Sequence, residues 1–225
     1  MATPGEVVTL KTDRRFYDGV EWHESIGGIP LDRVVWDPWP GTATEEDLLH
    51  MVEVDKRLVE MIDGVLLEKP MGREESEVGG ALLQLLRNWN DANGRPFRFL
   101  GADGTVRLLT VNRVRVPDVG AVLRERMSEG IRVGTSNVPA VSPDLVVEVL
   151  SRGNTRGEMV AKLVEYFDNG TRLAWYVQPA DRTVAVYTSP GEPDRVLTAA
   201  DTLTGGNVMP GLEIPVARLF EDLDD

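Results

Sequence analysis

The chemistry open to this chain rests on carboxylates and lysine. Glu148 is the most conspicuous acid: it interrupts the apolar run Leu145-Val146-Val147-Glu148-Val149-Leu150, where an unpaired carboxylate is expensive to bury. It needs an arginine, a lysine, a metal or a proton. Two readings compete, a site acid or half of a structural ion pair. A second acid could be Asp118 or Asp144, each preceded by proline. Asp144 and Glu148 lie four residues apart on one strand, so their Cα atoms are roughly 13 Å apart, and one ion is poorly placed to take both. Asp118, on a different strand that can lie alongside, has no such limit and is the better choice. Lys162 is the only lysine after residue 69. A helix folding back along its strand brings its ammonium level with Glu148, against the alternative of a surface Glu158–Lys162 pair.

Two carboxylates and a lysine suit a hard, oxygen-preferring cation such as Mg²⁺ or Mn²⁺. Phosphodiester hydrolysis is the natural chemistry of such a set, although spacing alone does not establish it. Other site types are poorly supported. Cysteine is absent, and the histidines, His23 and His50, fall outside the apparent core, which leaves little support for thiolate sites, histidine metal sites or a Ser-His-Asp triad. The sequence has no phosphate-binding GxxxxGK[ST], no dinucleotide GxGxxG after a strand and no GxSxG elbow.

The elements that must position these residues can be read from periodicity. Thr44 to Asp47 forms a capping box opening a short helix through about Met51, and Leu58–Glu68 reads as a hairpin around Asp63-Gly64. Val78, Leu82, Leu85, Leu86 and Trp89 recur at helical spacing until Asn93-Gly94. Strands are expected at 106–111, 115–123, 144–150, 173–177 and 184–187, with 124–140 as a long connection. A second capping box, Thr155 to Glu158, opens a helix ended by Asn169-Gly170. The order predicts an α/β (α+β) fold, a mixed central sheet flanked by helices. A hairpin precedes it, and residues 1–40 read as an N-terminal arm.

The chain has 225 residues, 24 basic and 37 acidic, for a net charge of −13. That total seems to exclude nucleic acid, whose phosphates are held mainly by Lys and Arg, but its distribution does not. Residues 1–70 carry −8 and residues 191–225 carry −6, whereas residues 71–190 carry +1, with arginine as fourteen of their fifteen bases. No apolar run approaches a membrane span, and the lack of cysteine makes a reducing cytoplasm the expected compartment.

With these residues in order, the chain resembles the Uma-two family of the PD-(D/E)XK restriction-endonuclease-like superfamily. The resemblance runs from about Gly27 to Phe220. It rests on Gly-Gly-Ile-Pro (27–30), Pro-Gly-Thr-Ala-Thr-Glu-Glu-Asp (40–47), Val-Glu-Met-Ile-Asp-Gly-Val-Leu-Leu-Glu-Lys-Pro-Met-Gly (59–72) and Glu75-Ser76. It continues in Val116-Pro117-Asp118, Pro143 through Ser151, Lys162 through Phe167, and Met209-Pro210-Gly211-Leu212 with Leu219-Phe220. It implies a restriction-endonuclease-like domain over 41–225, with Asp118, Glu148 and the main-chain carbonyl of Val149 as ligands of Mg²⁺ or Mn²⁺. The superfamily lysine, expected at Leu150, is displaced to Lys162. Glu75 stands where many relatives carry histidine and reads either as a third acid or as an acid favoured by the helix dipole. Glu60 also falls on a motif position. The implied activity is DNA endonuclease, with RNA left open; the alternative is a non-catalytic binding or regulatory protein on the same fold. A homodimer would give two sites for two strands, and the sequence does not decide it. DNA binding is expected to be weak, salt-sensitive and metal-dependent.

Overall fold

Asp63 and Gly64 both take positive φ, 48° and 79°, which is the geometry of a two-residue hairpin turn. In the computed structural model, which describes residues 19–70, 72–111, 113–130, 138 and 140–224, this turn joins β1 (Val59–Ile62) to β2 (Val65–Glu68). With β4 (Val106–Leu108) and β5 (Arg113–Arg115) they form an antiparallel sheet in the order β2-β1-β5-β4. After a first helix, α1 (Gly19–Ser25), α2 (Glu45–Glu53) packs on the outer face of this sheet; it carries the expected capping box and buries Leu48 and Met51 against Val59 and Met61.

The central sheet has six strands. They are β3 (Phe97–Leu100), β6 (Val119–Leu123), β7 (Leu145–Val149), β8 (Leu173–Gln178), β9 (Thr183–Tyr187) and β10 (Arg195–Leu197). Their order is β10-β9-β8-β7-β6-β3. β7 and β8 run parallel, which requires a long crossover. α5 (Arg156–Asp168) supplies it, opened by the second expected capping box at Thr155 and Glu158. A last hairpin, β11 (Thr202–Gly205) with β12 (Met209–Pro215), packs beneath α3 (Arg73–Ala92). The fold is therefore mixed α/β, with a central sheet flanked by helices.

Side-chain alternation divides β7 between two cores. Leu145, Val147 and Val149 join Val78, Leu82 and Leu86 of α3 in the main cluster. Val146 faces the other way, against Tyr166 of α5, and Glu148 shares that face.

Three expectations change. The stretch 115–123 is not one strand: β5 ends at Arg115 and β6 begins at Val119, in different sheets. Pro117 explains the break, since it has no N–H for a ladder. The strand expected at 106–111 stops at Leu108. The expected connection 124–140 begins as a helix, α4 (Arg124–Gly130), anchored by buried Met127 against Val122 and Val141. Residues 131–137 and 139 of that stretch, and 1–18 of the expected arm, lie outside the described residues.

Two ionic contacts tie these layers together. Arg33 forks onto Glu158 with two 2.9 Å bonds and donates to the carbonyls of Glu68 and Gly153. The backbones meet closely beside it: a Cβ on Gly27 would stand 2.8 Å from the Glu158 nitrogen. Arg115 is buried between sheet and helix, bonded to Glu60 of β1 at 2.9 Å and to both carboxylate oxygens of Glu165 of α5.

Burial alone would raise the Glu158 pKa, but Arg33 and Lys162 outweigh it and hold the carboxyl below its ordinary value of 4.5. A depressed acid contributes stability above its unfolded value and loses it as pH falls through the folded one. Arg33→Met should therefore destabilise the protein by about 3 kcal/mol at neutral pH. Urea unfolding of the two proteins should show that difference shrinking below pH about 4.5; a constant difference would assign the effect to packing. Arg115→Met should cost about 3–5 kcal/mol in the same assay, because it removes a buried cation from two buried carboxylates and leaves Glu60 with Lys162 and Glu165 with the partly exposed Arg113.

Candidate functional site

The register of the central sheet sets the site. Val119 pairs with Val147 across the antiparallel β6–β7 ladder, so Asp118 stands opposite Glu148. Both carboxylates are buried, and the Val149 N–H donates to Asp118 Oδ2 at 2.7 Å. The small sheet supplies the facing groups by the same parity. Met61 pairs with Val114, which sets Glu60 opposite Arg115. Glu60 also pairs with Leu67, and Lys69, two residues on, falls on that inward side.

The side chains converge accordingly. Lys69 Nζ lies 2.9 Å from Asp118 Oδ1 and 3.5 Å from Glu148 Oε2, and donates to the Val116 carbonyl at 2.5 Å. Lys162 Nζ lies 2.8 Å from Glu60 Oε1 and 3.4 Å from Glu148 Oε1. Tyr166, one helical turn beyond Lys162, donates its hydroxyl to Glu148 Oε1 at 2.8 Å. Glu60 also accepts the Val116 N–H. Arg113, partly exposed, pairs with Glu165 and with Asp63 at the hairpin turn.

Four acids (Glu60, Asp118, Glu148, Glu165) are thus set against four bases (Lys69, Arg113, Arg115, Lys162). Burial pushes the Glu148 carboxyl up, with Asp118 and Glu60 adding to it against the two lysines. For Glu60 burial acts in the same direction, but Lys162 and Arg115 hold the carboxyl well below the usual range. Burial would lower Lys162, yet Glu148 and Glu60 raise it, so it stays an ammonium. The Tyr166 phenol is pushed well up by burial and by Glu148, and it remains a proton donor.

Asp118, Glu148, Lys162 and Glu60 are brought together, with Val149 present through its N–H. Glu75 stands apart from these contacts. It sits in the first turn of α3, where its carboxylate folds over Gly72, and it helps line a cleft of about 770 Å³ with Pro70, Ser151, Arg152 and Gln178. Asp144 is held by Arg126 and Arg172 and accepts the Leu123 N–H. His23 bonds the Ile29 carbonyl, and His50 faces Asp55.

Sequence reasoning passed over Lys69 and Tyr166 as members of the site. Strand parity inward of buried Leu67 could have found Lys69, and the i, i+4 relation to Lys162 could have found Tyr166.

Among the described residues no group of three or more His, Cys, Asp or Glu is arranged to hold a metal. The donor chemistry still fits a hard cation. Asp118, Glu148 and the Val116 carbonyl already surround one cationic group, the Lys69 ammonium, with oxygen. Mg²⁺ is commonly bound by one or two carboxylates, with substrate and water completing its shell.

Comparison with known proteins bears on this geometry. Among solved structures the chain is similar to the crystal structure of a putative nuclease belonging to DUF820 from Anabaena variabilis. The TM-score is 0.65 at 20% identity, covering 79% of this chain and 97% of that one, a likeness of fold. No curated protein matches the chain. Residues 45–217 match the Uma2 family, whose description is "Putative restriction endonuclease". The match spans both sheets and every member of the cluster from Glu60 to Tyr166, and the chain belongs to the Uma2 family.

Proposed function

We propose that the protein is a divalent-cation-dependent endonuclease acting on DNA, with Asp118 and Glu148 as the cation-binding acids. The observation that supports it is the convergence of these two carboxylates, from adjacent antiparallel strands, on one cationic position. When bound there, Mg²⁺ or Mn²⁺ supplies Lewis acidity toward a phosphoryl oxygen and toward water.

The chain's own groups divide the remaining work. The Val149 N–H fixes one oxygen of Asp118 and leaves the other to the position that Lys69 now fills. The Val149 carbonyl is proposed as a further oxygen donor. Lys162 and Tyr166 both hold Glu148 Oε1, which leaves Oε2 on the side of the cation. Lys162 is therefore a positioning residue, acting through Glu148. Glu75, Arg73 and Arg152 line the neighbouring cleft, where a nucleic-acid strand would lie; Glu75 is proposed to face it there.

Purified protein should nick or cut plasmid DNA with added Mg²⁺ or Mn²⁺ and stop with chelator. Asp118→Asn and Glu148→Gln should each lose more than about 100-fold, above the 10–100-fold typical of residues that only support ligands. Lys162→Met should fall within that lower range and should also shift the metal concentration needed for half-maximal rate. Undiminished cleavage by both acid variants would overturn the assignment. The place of Lys69 between the two acids favours a second reading, a DNA-binding protein without turnover. DNA binding with no metal-stimulated cleavage would select it.

A further inference from the structure

Lys69 sits where the two acids meet. Its stem leaves the end of β2, its side chain is 5% exposed, and its ammonium is held by Asp118, Glu148 and the Val116 carbonyl. We propose that Lys69 is a built-in counter-ion that occupies the cation seat and has to withdraw before a divalent cation enters. This rests on the reading of Asp118 and Glu148 as the cation-binding acids.

Three observations carry it. The first is occupancy. Asp118 Oδ1 and Glu148 Oε2 share the Lys69 ammonium, while the opposite oxygens are taken by the Val149 N–H, Tyr166 and Lys162. A cation bound to this pair competes with the ammonium for the same lone pairs.

The second is charge. Of the groups in these contacts, four buried acids (Glu60, Asp118, Glu148, Glu165) face three buried bases (Lys69, Arg115, Lys162), while Arg113 is partly exposed and shared with Asp63. A divalent cation added with Lys69 still in place would leave an uncompensated positive charge in a region where burial is costly.

The third is an exit. Lys69 is followed by Pro70, which lines the 770 Å³ cleft. A lysine carries its charge on a flexible four-carbon stem, so the ammonium can turn toward that cleft while β2 stays paired to β1. Lys162 has no such freedom: it is 1% exposed and is pinned between Glu60 and Glu148.

Titration of Mn²⁺ into native protein, Lys69→Gln and Lys69→Met, followed by calorimetry, tests the competition. Glutamine keeps a donor for the Val116 carbonyl without the charge. Both variants should bind Mn²⁺ at least about tenfold more tightly than the native chain, because a charged competitor has been removed. Adding Asp118→Asn to Lys69→Gln should abolish that gain. Equal affinities in native and variant proteins, with binding lost on Asp118→Asn, would overturn the role of Lys69 and leave the acids' role standing. No binding by any of the folded proteins would overturn both.

The native chain gives a second readout that needs no variant to fold. Amine acylation followed by peptide mass mapping should show Lys69 protected without metal and labelled several-fold faster at saturating Mn²⁺, with exposed Lys56 unchanged. Equal protection of Lys69 at metal concentrations where binding is measured would refute the withdrawal.

Discussion

An ion taken into a protein interior loses several kcal/mol of hydration unless partners replace the water. This protein places four acids and four bases between its two sheets and α5, and each finds an opposite charge there. Replacing such a set wholesale with apolar groups could leave stability unchanged. Removing one member cannot, because it strands the others. The arrangement is therefore a constraint on geometry more than a reservoir of stability. β1, β5, β7 and α5 have to dock in one register for the charges to meet.

The same balance explains why structural and chemical roles run together here. Glu60 and Arg115 look like scaffold, Asp118 and Glu148 like site, yet they share partners through Lys162 and Lys69. Glu60 positions Lys162, Lys162 and Tyr166 orient Glu148, and Lys69 joins Glu148 to Asp118. The buried contacts run unbroken from the hairpin strand to the paired carboxylates. Lys69 directly precedes Pro70, which lines the cleft.

Local signals were readable wherever neighbours in sequence decide the structure. The turn at Asp63-Gly64, both capping boxes, the stop of α3 at Asn93-Gly94 and the two-sided burial of β7 all belong to this kind. The pairing of Asp118 with Glu148 was partly readable, because a carboxylate in an apolar strand demands a partner and strand spacing disfavours Asp144. Strand parity marks Lys69 as inward-facing, but its partners, like the Glu60–Arg115 contact, depend on which strands pair across more than 45 residues, and nothing local encodes that. The helix α4 escaped notice because Met127 is its one apolar residue, too little for a helical period to register. The apolar run from 115 to 123 hid a change of sheet, since side-chain type does not record which ladder a backbone joins.

That change of sheet has a further consequence. Between Arg115, the last residue of β5, and Val119, the first of β6, stand Val116, Pro117 and Asp118. Arg115 has to face α5 from one sheet while Asp118 faces Glu148 from the other. In a strand, a shift of one residue sends every side chain to the opposite face. The three-residue span is therefore a fixed ruler. Lineages of this chain can vary what fills Val116, but they can neither lengthen nor shorten the span by one residue without turning one of the two sheets inside out.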